Sequence, residues 1–117
     1  MKVTQKSDKG VCPAIEHAFS ILGKKWTGLI IHVLAPEARR FSKLLDEIPE
    51  LSPRLLTQRL KELKKEGIIR RKVVPETPVR VEYSLTKKGC SLIPIMQSVA
   101  DWAYAWYEKK PALKENE

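Results

Sequence analysis

One stretch, Ser52 to Gly67, constrains the chain more than any other. Ser52 offers a hydroxyl to cap free N–H groups, and Pro53 stands where its missing donor costs nothing, so a helix starts there. Gly67 can take the left-handed conformation that ends one. Between them Leu56, Leu60 and Leu63 recur at helical spacing and make a single apolar stripe. At about 100° per residue, Arg54, Thr57, Gln58, Lys61, Lys64 and Lys65 fall on the opposite side. Glu62 sits at the edge of that side and Arg59 borders the stripe. One face needs a core, and the other carries long cationic and amide groups. A merely solvated helix usually mixes its charge signs, whereas this outer face is almost entirely positive.

The rest of the chain shares that bias. Its 22 basic and 14 acidic residues leave a net charge of +8, which suits a phosphate-bearing partner and also serves solubility or an anionic surface. A length of 117 residues supports one domain with a modest core. Residues 11–109 are expected to form it, between a flexible arm over 1–10 and a flexible tail over 110–117. No run of about 18 apolar residues is present and the N-terminus lacks a secretory pattern, so a cytoplasmic location without membrane contact is expected. Two cysteines, Cys12 and Cys90, make no disulfide framework, and their spacing is not that of a zinc site.

Cys12-Pro13 opens a first helix with Ile15, Ala18, Phe19 and Leu22 on one face, ending at Gly23. A second is expected over Lys24–Leu34, with Trp26, Leu29, Ile30, Val33 and Leu34 inward. Arg39 to Phe41 reads as a short extended piece. Ser42 is expected to cap a brief third helix that carries Leu44, Leu45 and Ile48 and stops before Pro49. Two short helices joined this tightly, the second being Ser52–Glu66, are the pattern of a helix-turn-helix. After Gly67 the period changes to two. Residues 68–74 and 79–85 read as strands of a hairpin, with Pro75-Glu76-Thr77-Pro78 as the turn. Thr86 caps a last helical region, 86–109, in which Gly89 and Pro94 should weaken or kink the beginning. Its stripe of Leu92, Ile95, Met96, Val99, Trp102, Ala103 and Trp106 is long for so small a domain. Left bare it would be a large apolar patch. It either completes the chain's own core or meets a second copy, and the second copy is the favoured reading, with the first helix contributing.

The order of elements is that of a winged helix-turn-helix, mainly α with a small β-hairpin (α+β), with terminal helices forming a dimer interface. A helix of this kind can enter a major groove and offer Arg, Gln and Thr to base edges while nearby cations grip phosphates. The sequence resembles the HxlR-type transcriptional regulators, a winged-helix branch close to the MarR type. Cys12-Pro13, Gly23-Lys24-Lys25-Trp26, Arg39-Arg40-Phe41-Ser42, Leu55 through Leu63 with Gly67, and the wing string Pro75 to Thr86 with Gly89 carry the resemblance. Together they span residues 11 to 106.

What the resemblance implies is a DNA-binding regulator without enzymatic activity or cofactor, acting as a homodimer on a two-fold operator of double-stranded DNA. Helix 52–66 would lie in the major groove and wing 68–85 on the adjacent groove or backbone. Its contacts would be Arg54, Thr57, Gln58, Lys61 and Lys65, with Arg80 on the wing and Arg39, Arg40 and Lys43 near phosphates. Arg39 and Arg40 could instead pair with acids such as Glu82. Ile15, Phe19, Val99, Trp102 and Trp106 would form the dimer contact. Cys12 occupies a position where several members of this family carry a cysteine that responds to oxidants or electrophiles. Such chemistry needs access and a positive neighbourhood, which a helix start supplies; the plainer reading is a small apolar residue under the first helix. Nothing in the sequence names an effector ligand. His17 and His32 are read as structural residues at or near apolar helix faces. No glycine-rich phosphate loop and no metal-ligand spacing appears. The alternative to a DNA-reading regulator is a winged-helix module that binds proteins and meets DNA without sequence preference.

Overall fold

The computed structural model describes Gly10 and residues 12–107. Residues 1–9 of the expected arm over 1–10, the expected tail over 110–117 and the end of the terminal helix at 108–109 lie outside the described residues. The first helix, α1 (Pro13–Leu22), starts on its proline, with Cys12 at the cap position. The second, α2 (Thr27–Leu34), begins three residues after the expected Lys24. Trp26 takes a φ of +80°, left-handed backbone that a helix cannot run through. The inward face also differs from the expected one. Thr27, Ile30, Ile31 and Leu34 are buried, whereas Leu29, expected inward, is exposed, and Trp26 and Val33 are only partly covered.

A two-residue strand β1 (Arg39–Arg40) leads into α3 (Phe41–Glu47). Ser42 lies inside the first turn of α3 and does not cap it; Arg40 holds the cap position without a side-chain bond. The next helix, α4 (Pro53–Lys65), has both ends set by local chemistry. Ser52 Oγ accepts the Leu55 N–H at 3.1 Å. At the other end Gly67 has a φ of +77°. There the Gly67 N–H donates to Lys64 O at 3.0 Å and the Ile68 N–H to Leu63 O at 2.9 Å, the paired closure that a left-handed glycine permits.

The hairpin is β2 (Ile69–Val74) and β3 (Arg80–Leu85), antiparallel, with Arg71 opposite Tyr83 and Lys72 opposite Glu82. It is not two-stranded. The extended piece at Arg39–Arg40 pairs with the free edge of β3, Arg39 against Tyr83 and Arg40 against Glu82, so the sheet order is β1-β3-β2. The expected terminal helix is likewise divided, into α5 (Lys87–Cys90) and α6 (Ile93–Trp106). Thr86 Oγ1 does cap the start, accepting the Gly89 N–H at 3.1 Å. Gly89 is buried so tightly that a Cβ there would lie 2.1 Å from Ile68 O. Pro94 falls in the first turn of α6, where it has no bond to break, and so it begins a helix instead of kinking one.

The core gathers the inner faces of α2, α3 and α4 and the start of β2. Ile30, Ile31, Leu44, Leu56, Leu60, Leu63 and Ile69 are all nearly inaccessible to water. Each such side chain contributes about 1.5–3 kcal/mol by its removal from water. Those residues fix α4 by its leucine side, so its other side faces outward.

Candidate nucleic-acid interface

The exposed side of α4 carries Arg54, Thr57, Gln58, Lys61, Lys64 and Lys65, all open to solvent. Arg54, Lys61, Lys64 and Lys65 form no ion pair among the described residues. Thr57 Oγ1 donates its hydrogen to Pro53 O at 2.9 Å, which leaves its lone pairs for an outside donor. Gln58 points one N–H at Glu62 Oε2, 3.4 Å away. Arg59, at the border of the stripe, turns inward. Its Nε donates to Lys25 O at 2.9 Å and its Nη1 to Glu62 Oε1 at 3.2 Å, tying α4 to the turn before α2. Lys24 Nζ lies 3.3 Å from Glu62 Oε2. Partial burial of the Glu62 carboxyl works against its charge, but the hydrogen bonds from Lys24 and Gln58 and the Arg59 cation outweigh it, holding the group below its ordinary value.

The other expected cations divide. Arg40 is exposed and Lys43 is loosely paired with Glu47 at 3.6 Å. Arg39 is turned into the fold with its side chain only 14% exposed, 2.6 Å from Glu37 and 3.6 Å from Glu47. That matches the acid-pairing alternative, though with these two glutamates and not Glu82. Arg80 is held on the wing between Glu76 Oε1 at 2.7 Å and Glu82 Oε2 at 2.9 Å.

One feature of the surface was not assembled from sequence. A cleft of about 270 Å³ opens between α4 and the wing, with Thr57, Lys61 and Lys64 on one wall and Arg71 and Tyr83 on the other. Phe41 and Leu60 also line it. In the sequence Lys64 stands on the outer face of the helix and Arg71 on the strand 68–74, with nothing to place them together. The signal that joins them is register: Arg71 lies opposite Tyr83, and Lys64 lies one turn beyond Leu60.

Away from this face, Phe19, Val99, Trp102 and Trp106 are largely exposed and Ile15 is at the border of exposure. Trp102 stacks edge-on against Tyr107, ring centroids 5.4 Å apart. Ile95 and Leu29 add to the bare apolar surface. Cys12 and Cys90 are free thiols, the first half-buried and the second exposed. His17 and His32 are not under apolar cover. Both are exposed, and His17 Nε2 lies 3.3 Å from Glu66 Oε1. No helix among the described residues is long and apolar enough to cross a membrane.

A tri-helical core, a reading helix set outward by its leucines and a basic hairpin beside it define a winged helix-turn-helix. The chain belongs to the HxlR-like helix-turn-helix family, whose pattern matches residues 21–111. It is a DNA-binding helix-turn-helix transcriptional regulator, as its relatives are named. YvaP of Bacillus subtilis (strain 168), a helix-turn-helix-type transcriptional regulator, is 48% identical over 98 residues, 84% of this chain and 91% of its own. YodB of the same strain is 46% identical over 107 residues, 92% and 96% of the two chains. The solved structure of reduced YodB matches with a TM-score of 0.74 at 46% identity, over 86% of this chain and 99% of that one. The redox regulator HypR in its oxidised form matches with a TM-score of 0.76 at 34% identity, over 80% and 96%.

Proposed function

We propose that two copies of this chain, joined through α1 and α6, read a two-fold operator by placing their α4 helices in major grooves about one helical turn apart. The observation that carries this reading is the outer face of α4, where exposed cations flank Thr57 and Gln58 on a helix anchored by its opposite side. Arg54, Thr57 and Gln58 meet base edges, and Lys61, Lys65 and Arg40 meet phosphates. The cleft between α4 and the wing takes one backbone phosphate between Lys64 and Arg71. Lys43 and Arg80 reach phosphates by exchanging a glutamate partner for DNA, while Arg39 serves the fold. The bare tryptophans of α6 and Phe19 of α1 support the dimer, since their exposure leaves apolar surface in want of cover. The regulator acts by binding and not by catalysis, and it works in the cytoplasm, where its DNA is.

The reading extends to redox control through Cys12. Its support is the free thiol at the start of α1, on one of the helices proposed to join the copies, and the similarity to a regulator described as a redox regulator. An oxidant that drew Cys12 into a disulfide would act on the spacing of the two reading helices.

The test is selection from randomised duplexes with the full chain, followed by titration of Gln58→Ala and Arg54→Ala. Each should lose about 1–3 kcal/mol of discrimination at one position per half-site. Unchanged affinity and selectivity in both variants would remove α4 from the readout.

A further inference from the structure

Glu62 stands one turn beyond Gln58 on α4, and its carboxylate gathers three partners. Gln58 Nε2 donates to Oε2 at 3.4 Å. Arg59 Nη1 donates to Oε1 and Oε2 at 3.2 and 3.4 Å. Lys24 Nζ, from the turn between α1 and α2, lies 3.3 Å from Oε2. Because Arg59 is itself bonded to Lys25 O at 2.9 Å, the carboxylate is anchored from two parts of the chain.

An ionised carboxylate only accepts hydrogen bonds. It therefore takes the nitrogen end of the Gln58 amide and repels the oxygen end, which decides which way round the amide stands. The carboxylate uses one of the two amide hydrogens. The other hydrogen and Oε1 remain free, and they are the donor and acceptor that a glutamine presents to N7 and N6 of adenine. We infer that Glu62 is a positioning residue for base readout, orienting the Gln58 amide toward adenine without itself touching DNA. This rests on Gln58 reading a base, as proposed above. A negative charge on a face that must approach phosphates costs affinity for any duplex, so its return lies in selectivity.

The experiment takes the full-length chain through selection on randomised duplexes and compares base preference at each position for three proteins. In Gln58→Ala, the position that loses its preference for adenine identifies where Gln58 reads. In Glu62→Gln, whose amide can meet either end of Gln58, preference at that same position should fall about 2- to 10-fold, the cost of ordering one side chain. Preferences elsewhere should persist, and affinity for random duplex should hold or rise. Glu62→Asp keeps the charge beside Lys24 and Arg59 but withdraws the oxygens from Gln58. It should flatten the same position, and it serves where Glu62→Gln does not fold. A merely structural Glu62 would weaken every duplex alike in these variants, and that result would overturn the inference. So would an unchanged preference at the Gln58 position in folded Glu62→Gln and Glu62→Asp. If Gln58→Ala alters no preference at all, the reading of α4 fails first and the inference with it.

Discussion

Replacing Trp106 with alanine tests the proposed dimer where the chain has least of its own fold to lose. The ring is 73% exposed in the isolated chain. A tryptophan side chain carries up to about 150–250 Å² of buriable surface, so roughly 110–180 Å² stands free. At about 25 cal/mol per Å², covering it is worth roughly 3–4.5 kcal/mol per copy. Ordering and imperfect fit reduce that to the range of a single interface anchor, about 2 kcal/mol. Two-fold symmetry counts the loss twice, so the dimer should weaken by about 4 kcal/mol, close to 10³-fold in its dissociation constant. Sedimentation velocity over a nanomolar-to-micromolar dilution series reads that shift directly. The helical circular dichroism signal of the variant, taken on the monomer, should match the wild type. A dissociation constant within about threefold of wild type, in a protein of unchanged helicity, would refute the assignment of α6 to the dimer contact. The same variant should bind one half-site normally and lose its preference for two.

Gly89→Ala should destabilise the chain by about 3 kcal/mol and lower Tm by more than about 10 °C, since its Cβ would stand 2.1 Å from Ile68 O; a melt within 2–3 °C of wild type would contradict the close approach. Lys64→Ala and Arg71→Ala should each weaken specific and random duplexes alike, and each should reduce the salt slope by about 1.8 for two lost phosphates per dimer. An unchanged slope would empty the cleft of its phosphate. Glu62 has a folded pKa below its ordinary value of 4.5. Its contribution to stability is therefore complete above that value and lost as pH falls through the lowered one. Chemical denaturation from pH 7 to 3 should show the gap between wild type and Glu62→Gln closing only below about pH 4.5, and a gap independent of pH would mean no linkage and refute the lowered pKa. Diamide should release operator DNA from the wild type and not from Cys12→Ser; equal release would discard Cys12 as the sensor.

What could be read from sequence follows the range of the forces involved. The reading helix was legible at both ends because Ser52, Pro53 and Gly67 act on backbone groups within a few residues of themselves. The wing was legible by its alternation and its proline turn. The start of α2 was not, because a tryptophan with left-handed backbone is a cost that only the surrounding packing explains. The expected inner face is also turned, with Leu29 inward where the structure buries Ile31. The extended piece at Arg39–Arg40 is legible, but its pairing with the wing is not. Two residues of extended chain have no periodicity, and the edge of β3 that receives them is some forty positions away. Pro94 was misjudged because the same residue breaks a helix that began earlier and begins one that did not.

The candidate contacts show the same limit, and they also show how the charge of +8 is used. Sequence alone ranks cations by their place on a helix or strand, and it cannot see which of them a carboxylate already holds. Lys24, Arg39, Arg59 and Arg80 each meet a glutamate, and together they join turns, helices and the wing tip. Arg54, Lys61, Lys64, Lys65, Arg70, Arg71 and Lys72 meet none among the described residues. These seven lie on α4 and β2, two of the elements that line the cleft, and only Lys25, Arg40, Lys87 and Lys88 are unpaired elsewhere among the described residues. An exposed ion pair contributes at most about 1 kcal/mol to a fold, so leaving these cations unpaired costs the fold little. A cation that must first leave a carboxylate gives up part of what a phosphate returns, whereas an unpaired one keeps it all. Most of the cations free to exchange counterions for DNA therefore lie on the reading helix and the adjoining strand, whereas those bound to glutamates tie α4 to the turn before α2, β1 to α3, and the wing tip to its own strand.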